Sequence, residues 1–233
     1  MMRIGLIGGM SWESSAEYYR LLNELVRERL GGLHSAECLM LSVDFAEVEQ
    51  LQVTGRWDEA GAMLAAAARD LEAGGAELLL LCTNTMHKVA DAVAAAVSVP
   101  VLHIADATAE AVRAAGVREV GLLGTAFTME QPFYRDRLGG HGLSVWVPPA
   151  EDRALVHRVI YEELCVGVVR DESRAAYQEV IGRLVERGAE GIVLGCTEIG
   201  LLVSQEHSPV PVFPTTRLHA RAAVQVALSR PAP

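Results

Sequence analysis

The sequence predicts an α/β protein of two similar small parallel-sheet α/β domains related by a pseudo-twofold, with the active site in the interdomain cleft. Three observations predict it. Short apolar runs that end in glycine or a polar turn alternate with segments of helical spacing, the pattern of parallel sheets covered on both faces. The scheme occurs twice: "IGLIGG" at Ile4 corresponds to "VGLLGT" at Val120, and "GGAELLLLCTN" to "RGAEGIVLGCTE". Ligands of open α/β sheets bind beyond the carboxyl ends of the strands, and each half ends a strand there in a Cys-Thr corner.

The elements follow in order. "RIGLIGG" is a short buried strand that ends in glycines, and "SAEYYRLLNELVRERL" has the apolar spacing of a helix. "CLMLSV" reads as a strand. "EAGAMLAAAARDLEAGG" is an alanine-rich helix stopped by glycines, and "ELLLL" is the strand before Cys82. In the second half "EVGLLGT" is a strand and loop, "MEQPFYRDRL" a helix, "LSVWV" a strand and "GIVLG" the strand before Cys196. The first domain is expected to span residues 1–103 plus 212–233 and the second residues 104–211, which returns the last helix to the first domain.

A chain of 233 residues buries a sizeable core. The longest apolar runs are too short or too interrupted to span a bilayer, and the N-terminus lacks a charged, apolar and cleavage-site succession, so a cytoplasmic protein with no membrane partner is expected. A formal net charge of −10, with no run of Lys and Arg, argues against nucleic acid. A homodimer is a possible assembly. Gly5, Gly8 and Gly9 do not have the G-x-G-x-x-G spacing of a dinucleotide loop and read better as a tight strand-to-helix turn.

Four cysteines lack the paired short spacing of a zinc or redox site, and a reducing cytosol disfavours disulfides. Cys38 and Cys165 read as small buried hydrophobes. Cys82 and Cys196 differ, because each ends an apolar strand and enters a polar turn, where a helix N-terminus favours the thiolate. Two thiols on opposite sides of one cleft suit the removal of a proton from one face of a carbon and its return to the other, which is racemisation. His87, five residues beyond Cys82, is one turn too deep for a direct role, and His103 and Asp106 read as a structural cap and hydrogen-bond network.

The stretches "IGLIGGMSWESSAEYYRLLNE", "LGGLHSAECLMLSVDF", "LCTNTMHKVAD", "LHIADAT" and "GCTEIGLLV" resemble the aspartate/glutamate racemase family over almost the whole chain, most closely its bacterial broad-specificity branch. The resemblance implies proton transfer on an α-amino acid with no cofactor, neither pyridoxal phosphate nor metal. It implies that Cys82 and Cys196 are the acid/base pair and that Thr83, Asn84, Thr85 and Thr197 form substrate-binding turns. Met10 and Gln52 are expected to line the same cleft, and Glu198 to contact the ammonium group or tune Cys196.

Two departures accompany the resemblance. "VFPTT" carries Pro214 where many relatives carry an acid, leaving Thr215 or Thr216 to cap the last helix. Aspartate-selective relatives hold the distal carboxylate with an arginine and a lysine, and the corresponding positions here are Val48 and Cys165. Arg56, Lys88 and Arg170 are the candidate replacements. Aspartate or glutamate is therefore the default substrate, with a broader amino-acid set close behind. Racemisation of a hydantoin, decarboxylation of a malonate and noncatalytic amino-acid binding are the alternatives.

Overall fold

The computed structural model describes residues 1–229. By its internal contacts the chain divides into two units: Met1–His103 with the segment from His219 onward, and Ile104–Leu218. In the first unit the order is β1 (Ile4–Gly8), α1 (Trp12–Leu30), β2 (Cys38–Ser42), α2 (Phe45–Val53), α3 (Trp57–Ala73), β3 (Leu78–Leu81), a 3₁₀ turn over Thr85–Val89, α4 (Ala90–Ala94) and β4 (Val101–Leu102). The strands form one parallel sheet in the order β2-β1-β3-β4.

The second unit contains α5 (Ile104–Ala114), β5 (Glu119–Gly124), α6 (Ala126–Glu130), α7 (Pro132–Gly140), β6 (Ser144–Trp146) and α8 (Ala150–Glu162). A 3₁₀ turn over Leu164–Val166, α9 (Asp171–Glu186), β7 (Gly191–Gly195), α10 (Ile199–Leu202), a 3₁₀ turn over Gln205–His207 and β8 (Val212–Pro214) complete it. Its parallel order, β6-β5-β7-β8, repeats that of the first unit strand for strand. The last helix, α11 (Thr215–Ser229), begins in the second unit and ends in the first.

The apolar runs are continuous because each central strand is buried on both faces. Leu79 and Leu81 of β3 join the cluster under α3 with Leu64, Ala68 and Leu71, while Leu78 and Leu80 face Tyr18, Leu22, Val26 and Val224 of α1 and α11. The central strands β5 and β7 divide their residues in the same way: Leu123, Ile192 and Leu194 pack with α8 and α9, and Val120, Leu122 and Val193 with α5 and α7. Full burial of each such side chain stabilises the fold by about 1.5–3 kcal/mol. Helix α1 starts where the Ser11 side chain accepts from the Ser14 N–H, and basic Arg27 and Arg29 sit in its last turn, where the helix dipole favours them.

Three sequence expectations change. The segment 212–218, assigned above to the first domain, belongs to the second unit, because β8 pairs with β7 from Ile192↔Val212 to Leu194↔Pro214. The single helix expected over "MEQPFYRDRL" is two, α6 and α7, because proline disfavours helical geometry in the residue before it, and Gln131 is extended at φ −82°, ψ 148°. Cys38 opens β2 and is only half-buried, as is Cys165.

Candidate active site

The Cys82 corner is assembled at the carboxyl ends of β1 and β3. Cys82 extends the ladder by donating its N–H to Ile7 O (2.9 Å), and its side chain is fully buried with Tyr18, Leu22 and Ala220. The Ser14 hydroxyl, from the first turn of α1, donates to Cys82 O at 3.0 Å. Beyond it the chain turns through Thr83 and Asn84 into the 3₁₀ turn, where the His87 ring bonds Thr83 O through Nδ1 (2.7 Å) and the His87 N–H bonds Asn84 O (3.1 Å). Thr83, Asn84 and Thr85 are all buried.

Met10 and Gln52 belong to the same neighbourhood. Met10 packs with Val48, Leu51 and Met86 in one cluster. Gln52 is 3% exposed, donates to the Met86 sulfur at 3.0 Å, and leaves its Oε1 with no partner among the described residues. Met10, Gln52, Thr83, Asn84 and Thr85 are all buried, and Met86, in the turn after Cys82, packs with Met10 and accepts from Gln52.

The Cys196 corner has the equivalent place at the carboxyl end of β7. Its thiol donates to Glu198 Oε2 at 3.0 Å, and both side chains are buried. Thr197 lies between them. The Thr215 hydroxyl donates to Leu194 O at 2.8 Å and so ties the start of α11 to β7. Cys165 and Tyr161 pack against the apolar cluster that contains Cys196. Among the described residues no group of three or more His, Cys, Asp and Glu side chains is placed to hold a metal.

Burial, then the neighbouring Cys38, holds the Cys82 thiol far above its ordinary range, and burial, then the Glu198 carboxylate, raises Cys196 as well. The expected helix-terminus stabilisation of thiolate is thus outweighed. The reason is local: a short 3₁₀ turn follows Cys82, the four-residue α10 follows Cys196, and loss of water disfavours the charged form of each thiol. In both corners burial therefore favours the neutral thiol over the thiolate.

The other candidates have structural partners. Asp106 accepts from Arg137 (2.6 Å) and lies 2.8 Å from His141, a network within the second unit. His103 stacks edgewise on His87, ring centres 4.4 Å apart. Arg56 pairs with Glu59, Lys88 Nζ sits 3.8 Å above the Trp57 ring, and Arg170 lies 3.9 Å from Glu163. Val48 is fully buried. Sequence reasoning missed the Ser14 brace and the Thr215 tie; the first links residues 68 apart, for which no local pattern exists.

The family model for Asp/Glu/hydantoin racemases matches residues 7–223. The chain belongs to that family. This racemase-family chain is similar to a crystal structure from Yersinia pestis whose own assignment as an Asp/Glu racemase is provisional, with 54% identity and a TM-score of 0.92 over 98% of this chain and 100% of that one. It is also similar to an aspartate racemase homologue from Pyrococcus horikoshii OT3, at 36% identity and a TM-score of 0.87, again over 98% and 100%. The broad-specificity amino-acid racemase RacX of Bacillus subtilis is 21% identical over 74% of each chain. No helix among the described residues is long and apolar enough to cross a membrane.

Proposed function

We propose that the protein racemises an α-amino acid without a cofactor, Cys82 and Cys196 exchanging the roles of base and acid. The observation that carries the reading is the repeat: β3 and β7 hold the same place in two sheets of identical order, and each ends in a Cys-Thr corner whose cysteine is buried. One thiolate takes the α-proton, the α-carbon becomes planar, and the other thiol delivers its proton to the opposite face. The roles reverse for the other enantiomer.

The substrate ammonium group supplies the positive charge that the buried thiols lack, and Glu198 is the group we assign to meet it. The α-carboxylate is assigned to the turn Thr83–Asn84–Thr85 and to Thr197, whose amides and hydroxyls donate directional hydrogen bonds. Gln52 Oε1 and Met10 line the same corner. Family membership makes aspartate or glutamate the default substrate. The partners of Arg56 and Lys88 favour the broader set, in particular uncharged side chains, because both cations are already engaged and Val48 offers none.

A panel of single-enantiomer amino acids incubated with purified protein, read by chiral chromatography, tests this proposal. Inversion of at least one α-amino acid is expected, faster for uncharged side chains than for aspartate. Inversion of a hydantoin only, loss of carbon dioxide from a malonate only, or binding without inversion would each replace the assignment.

A further inference from the structure

We infer that His87 is a positioning residue for the Cys82 corner, a role that rests on the racemase reading above and extends it. Three consecutive carbonyls of the corner each have a donor: Ser14 Oγ on Cys82 O, the His87 ring on Thr83 O and the His87 N–H on Asn84 O. Two of the three donors belong to His87. A carbonyl only accepts, so His87 Nδ1 carries the proton. In a trans peptide the N–H points away from its own C=O, so fixing these carbonyls fixes the directions of the Thr83, Asn84 and Thr85 N–H groups, the donors a bound carboxylate meets.

The ring of His87 is itself held. Its centre lies 4.4 Å from that of His103 and 5.8 Å from that of His219, which brings imidazoles from the turn after β3, the end of β4 and α11 into one cluster. His219 donates through Nε2 to Leu102 O (2.9 Å) and accepts at Nδ1 from the Tyr18 hydroxyl (2.8 Å). Burial lowers the His219 pKa to about 4, so this neighbour stays neutral. A leucine of similar size would fill the volume, but Thr83 O would lose its donor, and buried carbonyls without one are rare.

The test uses His87→Leu, which keeps volume without the donor, and His87→Asn, whose Nδ2 takes the place of Nδ1. Exchange of the α-proton in deuterated water is followed separately for each enantiomer of an amino acid the parent protein racemises. His87→Leu is expected to slow racemisation about 10- to 100-fold, the scale of a small misplacement of a reacting group. Exchange should fall mainly for the enantiomer whose α-proton faces Cys82, and His87→Asn should recover most of it. Ser14→Ala, which removes the adjacent donor, should slow the same enantiomer even if His87→Leu fails to fold.

Equal loss for both enantiomers, or an asparagine variant no better than leucine, would show that His87 only supports the fold and would overturn the inference. A parent protein that racemises no amino acid removes the proposed function and this inference with it. An active parent with symmetric variants removes the inference alone.

Discussion

Serine in place of either Cys82 or Cys196 is expected to lower racemisation by about 10²- to 10⁴-fold, the usual contribution of a positioned acid or base. Substrate binding should change far less. A hydroxyl is nearly isosteric with the thiol but a much weaker acid, so the corner keeps its shape while proton transfer fails. The burial that already holds both thiols above their ordinary range penalises an alkoxide further. Each variant keeps one cysteine of the pair, which can still remove the α-proton of the enantiomer facing it and return a solvent-derived one to the same face. Deuterium exchange should therefore survive for one enantiomer in Cys82→Ser and for the other in Cys196→Ser. Near-parental racemisation in both variants would eliminate the cysteine pair.

The largest loss of stability is expected from Gly9→Ala. Gly9 has φ +90°, and a Cβ placed there would lie 2.1 Å from Val43 O and 2.6 Å from Val43 N, both backbone atoms. Val43 cannot give way cheaply, because its N–H bonds Gly8 O at 3.0 Å and prolongs the β1–β2 ladder. Positive φ and a backbone clash together should cost about 3–5 kcal/mol, a large share of an ordinary folding free energy. At about 2–4 °C per kcal/mol for a chain of this size, Tm should fall by roughly 10 °C or more. Gly139→Ala is the control, since nothing lies within 4 Å of a Cβ at that position. Urea and thermal melts that place the two variants together would contradict this assignment.

Much of the fold was legible because both sheets bury their central strands on two faces, so "GLIG", "LLLL" and "GIVLG" stand out as uninterrupted apolar runs. The duplicated pattern led directly to two similar parallel-sheet units, and to the two cysteines as equivalent positions. The edges were less legible. Strand β4 is two residues long and β8 three, too short for a period to register, and misplacing β8 moved the domain return from His219 to residue 212. The break at Gln131 was written in Pro132, yet the apolar spacing on either side concealed it.

Within the site, the residue types and their turns were readable, while their electrostatics were not. Whether Cys82 is a thiol or thiolate depends on depth, and depth comes from Tyr18, Leu22 and Ala220 on α1 and α11, distant in the chain. The same holds for the substrate side chain. Lys88 is six residues from Cys82, but Trp57 engages its ammonium group, a contact that spacing along the chain does not reveal.

The most direct measurement of two-base transfer is the position of deuterium early in the reaction of the parent enzyme. A single enantiomer is incubated in deuterated water, the reaction is stopped at low conversion, and the two enantiomers are separated and weighed by mass spectrometry. A cysteine thiol carries one exchangeable proton, so the acid that reprotonates the α-carbon should deliver deuterium from the opposite face. The product enantiomer should be deuterated at the α-carbon while the unconverted substrate remains protiated. Protium retained in the product, or equal deuterium in both pools, would show one base serving both faces and would contradict a two-cysteine mechanism.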